Sequence, residues 1–227
     1  MVIAPLQQLN RAEPVLCPTF ADILALRPEP KIIAVDMPIG LPERVGPGGR
    51  DPERLVRPLL GARQSSVFSV PARAAVMQDD YHAACAAALA HSDPPRKVSK
   101  QCFHIFPKIR EIDALMTPDL QSRVYESHPE LAFWALNGEQ AVPVPKKVKS
   151  RPNTEGLDFR RDLLARAGFA RALLTETSFK ARDVGADDLL DACATCWSAA
   201  RIARGEAKCF PPHPRSDGKG LRTAIWA

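Results

Sequence analysis

Two hydrophobic periods alternate along the chain. Lys31-Ile-Ile-Ala-Val-Asp36 is a continuous apolar run closed by an acid, the pattern of a parallel strand buried on both faces. Gln121-Ser-Arg-Val-Tyr-Glu126 repeats it, again ending in an acid. Shorter apolar runs at 2–6 and 14–17 predict two further strands. Helical spacing is predicted over 20–27, 51–61, 79–91, 99–116 with a break near Pro107, from Pro129 to Leu136, from Leu157 to Ala167, and from Asp187 to about Gly205. Met37-Pro-Ile-Gly-Leu-Pro42 and Gly46–Arg50 punctuate the pattern as a loop and a turn, and residues 141–153 form a basic, Pro-containing connection. Residues 221–226 are a last strand or helix. Strands alternating with helices place the chain in the α/β class, as one domain over 1–227 with a helical insertion at about 50–118.

Three acidic points sit where such a fold builds sites. Asp36 and Glu126 close consecutive strands, and in open α/β sheets the carboxyl ends of strands converge. Asp187, Asp188 and Asp191 open the long helix, where spacings of three and four put two carboxylates on one face. Clustered carboxylates resist joint ionisation unless a cation neutralises them, and oxygen ligands suit Mg²⁺ or Mn²⁺. Helix capping and the helix dipole explain one or two of the helical acids but leave Asp191 and the strand-end acids unexplained.

Composition adds a little. A net charge of +5 and a pI near 9.0 fit a nucleic-acid partner, and equally fit a basic protein without one. Arg50, Arg54, Arg63 and Arg73 crowd the sequence after the Asp36 loop, either as phosphate forks or as partners of Asp51, Glu53 and Asp79. His128 either positions a phosphate or water, or starts a helix with Pro129 at its first position. The six cysteines lack secreted or zinc spacing, and Cys193-x-x-Cys196 falls in a helical run. They read as core residues of a cytoplasmic protein. No apolar run is long enough to cross a membrane.

Several motifs in order carry a resemblance: Ala34-Val-Asp-Met-Pro-Ile-Gly-Leu-Pro42, Arg50-Asp51 with Arg54, Gly61–Phe68 with Pro71 and Arg73, Pro107–Asp113, Glu126-Ser-His-Pro-Glu130, Lys146-Lys147, and Asp187-Asp-Leu-Leu-Asp-Ala192. Together they resemble the DUF429 family, described as predicted nucleases of ribonuclease H-like fold, over about Ile33 to Ile202. The resemblance implies a mixed sheet flanked by helices and metal-dependent cleavage of DNA or RNA. Asp36, Glu126, Asp188 and Asp191 would hold Mg²⁺ or Mn²⁺. Arg50, Arg54, Arg63, Arg73, Lys108, His128 and Lys146 would hold the substrate. It also implies a first strand with a further metal-binding Asp, for which no residue here stands in. The expectation is therefore an incomplete metal site, which leaves a non-catalytic nucleic-acid-binding module as the alternative. A small-molecule phosphotransferase is disfavoured, because Gly46-Pro-Gly-Gly49 lacks the ending of a phosphate-binding loop.

Overall fold

The computed structural model describes residues 1–6, 8–149, 151–175, 179–180 and 184–227. It is a mixed α/β structure. The central pairing is parallel: β3 (Ile33–Val35) lies beside β4 (Val124–Glu126), with Val35 opposite Glu126. β1 (Val2–Ile3) and β2 (Glu13–Pro14) pair antiparallel, as do β5 (Lys147–Val148) with β6 (Arg151–Pro152) and β7 (Cys209–Phe210) with β8 (Ile225–Trp226). A bridge from Ser127 to Trp226 sets β8 beside the end of β4. The expected strands are therefore present but short, with pairing confined to two or three residues each.

Five helices fill the stretch between β3 and β4: α2 (Asp51–Val56), α3 (Arg73–Val76), α4 (Tyr81–Ala90), α5 (Lys100–His104) and α6 (Phe106–Leu115), following α1 (Phe20–Leu24) near the amino end. They carry an apolar cluster of their own around Leu41, Val76, Phe106 and Ile109. The break expected near Pro107 falls at Ile105, because Pro107 takes an early helical position where its missing N–H costs nothing. The predicted 51–61 helix ends at Val56. Beyond it the chain tightens into 3₁₀ turns interrupted at Gly61, whose positive φ breaks helical geometry.

The second half of the chain supplies α7 (Pro129–Leu136), α8 (Thr154–Arg166), α9 (Arg171–Thr175) and α10 (Ala186–Arg204). Ala132, Phe133, Leu164 and Leu190 are fully buried where α7, α8 and α10 meet. A charged pair is built into this contact. Arg160 of α8 has no exposed surface, and it donates to both oxygens of Glu130 at 2.7 Å and to the Val144 and Gly156 carbonyls at 2.9 Å. Bidentate geometry is what allows such a pair in the interior. α10 ends where Gly205 takes a left-handed conformation. Among the described residues no helix is long and apolar enough to cross a membrane.

Candidate functional site

The last residue of the β3 run and the first turns of α10 face a common cavity of about 430 Å³, lined by Asp36, Asp188 and Asp191 at one end. The strand ladder fixes Asp36: Val35 pairs with Glu126, and Ser127 N–H donates to the Val35 carbonyl at 2.9 Å. By surface area Asp36 is exposed, yet that surface faces the cavity and protein crowds its other sides. Desolvation pushes its carboxyl above the usual range, while His128 and Lys146 pull it back down. No hydrogen bond reaches Asp36's side chain from the described residues.

Asp191 lies on the same helical face as Asp188, one turn further along. Its Oδ2 ion-pairs with the Lys146 ammonium, but its Oδ1 is buried and meets no hydrogen-bond partner among the described residues. Burial pushes this carboxyl up to about 7. Lys146 opposes the shift, and the charges of Asp36 and Glu130 add to it. Lys146 itself pays for burial, but Asp191, Glu130 and Asp187 outweigh that and hold its pKa above the ordinary value. Asp187 receives Lys147 at 2.6 Å and Lys146 at 4.0 Å. Asp188 turns one oxygen back on its own helix, accepting from Gly185 N–H at 2.9 Å, and stays exposed.

Glu126 is not brought into this group. Arg50 donates to its Oε1 at 2.6 Å and Ile39 N–H donates to its Oε2 at 2.7 Å, so both oxygens are taken by protein. Burial raises its carboxyl to about 7 against the pull of Arg50. Arg50 is buried as well, and its remaining donors go to Glu53 and to the Ile39 and Gly40 carbonyls. This is an internal clamp tying the Met37–Pro42 loop to α2 and β4.

The other expected substrate contacts are dispersed. Arg73 joins Asp113 at 2.6 Å and Asp217 at 2.7 Å. Lys108 joins Glu111 and the Pro18 carbonyl, both at 2.9 Å. Arg54 pairs with Asp51 at the surface, and Asp79 pairs with Arg110 rather than with this arginine group. Arg63 has a buried Nε with no partner among the described residues. His128 caps α7, reaches the Ser66 carbonyl through Nε2 at 3.3 Å, and leaves Nδ1 buried without a partner. It shares a small cavity of about 30 Å³ with Asp36 and Glu126. Asp187 and Lys147 belong to the site although the sequence reading gave Asp187 to helix capping and Lys147 no role. The adjacent Lys-Lys pair was the available signal.

No group of three or more His, Cys, Asp or Glu is placed to hold a metal ion among the described residues. All six cysteines are free, and burial pushes the Cys193 and Cys196 thiols up to about 12, which suits packing rather than ligation.

A family model described as "Protein of unknown function (DUF429)" matches residues 3–216. No curated protein matches the chain, and no solved structure does.

Proposed function

The chain belongs to the DUF429 family, and on that footing we propose that it is a metal-dependent phosphodiesterase of ribonuclease H-like fold acting on nucleic acid, with Asp36 and Asp191 as its ion-binding carboxylates. The observation that carries this reading is Asp191 Oδ1, a buried acceptor without a donor among the described residues, lining the same cavity as Asp36, whose side chain no described residue bonds. A buried acceptor with nothing to accept is costly, on the order of 1–3 kcal/mol, and a bound cation removes that cost. Asp36 and Asp191 would carry one hard divalent ion as two carboxylates, with water completing the shell. They do not fit a pair of ions, because Glu126 is committed to Arg50 and Ile39.

When bound, such an ion activates water and neutralises charge on a phosphoryl oxygen. The chain's own part is to hold the two carboxylates together, to keep Lys146 against them as a resident counter-charge, and to present cations to a polyanion. Lys147, Lys149 and Arg151 stand exposed on the β5–β6 hairpin beside the acids and supply that basic face. The parallel β3–β4 pair flanked by an antiparallel pair and covered by α10 supports the fold assignment.

One observation favours a second reading, a non-catalytic nucleic-acid-binding module: Lys146 already occupies Asp191. The test is to incubate the chain with Mn²⁺ or Mg²⁺ and labelled DNA or RNA, alongside Asp191→Asn and Asp36→Asn. Cleavage abolished by both substitutions supports the phosphodiesterase. Salt-sensitive binding without cleavage, retained in Asp191→Asn, supports the module. Neither cleavage nor binding at low salt overturns both.

A further inference from the structure

A second cavity, of about 200 Å³, lies where the Gly46–Gly49 turn meets the helical insertion, and it shares no residue with the acidic one. Three segments wall it: that turn, residues 69–72, and residues 92–98 beyond the end of α4. The frame is fixed by backbone bonds. Val45 N–H donates to the His91 carbonyl and Asp93 N–H donates to the Val45 carbonyl, both at 2.9 Å. Ser92 Oγ donates to the Ala88 carbonyl at 2.7 Å and accepts from Arg96 N–H at 2.8 Å, which holds the backbone that carries Arg96 and Lys97. Val45, Val70, Ala88 and Val98 make part of the lining apolar.

The rest of the lining is rich in unspent donors. Gly46 and Gly48 N–H meet no hydrogen-bond partner among the described residues. Ser69 Oγ accepts from Arg57 Nη2 at 2.9 Å, which leaves its own O–H free to donate. Arg96 and Lys97 are exposed, and neither has a carboxylate partner among the described residues. Arg57 braces the wall from behind, donating to the Val67 carbonyl at 2.8 Å and to the Gly48 carbonyl. Burial pushes its guanidinium below the ordinary range, Glu53 opposes the shift, and the charge of Arg96 adds to it. Among the described residues no Asp or Glu lines the cavity. Glu53 lies behind Gly49 with both oxygens held by Arg50, and Asp93 shares the turn with Arg96 without joining the lining.

We propose that this cavity binds a phosphate monoester, with Arg96, Lys97, the Ser69 hydroxyl and the Gly46 and Gly48 amides around the phosphoryl oxygens and the ester carbons against the apolar lining. Cations held together without a carboxylate favour an anion between them, and amides in a glycine turn form a concavity suited to one. A monoester carries about 1.5–2 negative charges near pH 7, which matches Arg96 and Lys97 together, whereas a diester carries one. The volume falls below the roughly 300 Å³ at which sites for drug-sized ligands begin, so the ligand is compact. The turn lacks the lysine of a phosphate-binding loop, but here the cations come from the segment beyond α4. Soluble monoesters and the 5′-phosphorylated ends of nucleic-acid strands share this chemistry.

The test measures binding of adenosine 5′-monophosphate and of adenosine to the full chain by calorimetry, without divalent ions. The monophosphate should bind about tenfold or more tightly than the nucleoside, and Arg96→Ala with Lys97→Ala should weaken it by about tenfold or more. Gly46→Asp separates the site from the fold. No atom lies within 4 Å of a Cβ at Gly46, so this variant should keep the wild-type melting temperature and lose the monophosphate. Asp191→Asn should bind it as the wild type does, which keeps the result distinct from the acidic cavity. A 5′-phosphorylated oligonucleotide bound about tenfold more tightly than both its 5′-hydroxyl twin and the monophosphate supports the proposal with a strand end as the source. Equal or weaker binding of that oligonucleotide supports it with a soluble monoester. A monophosphate bound no more tightly than adenosine overturns the proposal, as does binding that survives both Gly46→Asp and the Arg96, Lys97 double substitution.

Discussion

Lys146 grips one oxygen of Asp191 and leaves the other, Oδ1, buried without a donor among the described residues. A carboxylate half satisfied in this way, next to the unbonded Asp36, is poised for a second cation or for a proton. That choice makes the site sensitive to pH.

The first expectation concerns protons. Asp191 is held at about 7 in the folded chain against an ordinary value of 3.8. A carboxyl whose folded pKa is raised favours folding while protonated, so its contribution is complete below about pH 4 and is lost as pH rises through about 7. Denaturant unfolding at pH 5 and pH 8 should show the wild type losing about 2–4 kcal/mol over that window. Asp191→Asn, which mimics the protonated acid, should make the dependence shallower and leave the share of Glu126, also raised to about 7. An unchanged slope in the variant would place the titration elsewhere.

Divalent cations should act in the opposite pH range. Above pH 7 Asp191 is ionised and available, so millimolar Mn²⁺ should raise the melting temperature at pH 8 and do little at pH 5.5. At a hundredfold excess over the dissociation constant the stabilisation is about 2.7 kcal/mol. Asp191→Asn and Asp36→Asn should each abolish the shift.

Glu126→Gln separates the two acidic centres. It removes the charge that pairs with buried Arg50, and unfolding stability should fall by about 3 kcal/mol. The Mn²⁺ shift should survive in the variant, since both Glu126 oxygens are held by Arg50 and Ile39. If the substitution also abolished the shift, Glu126 would belong to the ion site after all.

Gly156→Ala probes how Lys146 is placed. A Cβ at Gly156 would lie 2.0 Å from the Pro145 carbonyl oxygen and 2.6 Å from its carbon, so the 145–147 backbone must move. The expected cost is about 1–3 kcal/mol. Part of it should vanish at pH 5, where Asp191 is protonated and the Lys146 pair already weak. A cost that is the same at both pH values would mean that the displacement leaves Lys146 in place.

Local patterns carried well from sequence to structure. Pro129 announced the start of α7, where it takes the first helical position. The apolar run ending at Asp36 became the parallel strand β3, but of its three residues only Ile33 is buried, because the run lines the cavity. What could not be read was partnership across the chain. Arg50 and Glu53 stand three apart and look like a helical pair, but nothing local shows that Arg50 also takes Glu126, 76 residues away. Asp217 sits in a Pro-rich tail, yet it accepts from Leu41 and Leu221 N–H at 2.9 Å and anchors Arg73 with no exposed side-chain surface. The Asp217-Gly-Lys-Gly220 turn was its one local sign.

The β5–β6 hairpin is fastened to α10 by Lys146 on Asp191 and Lys147 on Asp187. The fastener and the occupant of the acidic site are thus the same atoms. Protonation of Asp191 would slacken the first of these ties and leave the second, Lys147 on Asp187, to hold the hairpin, so the two lysines make its attachment to α10 redundant.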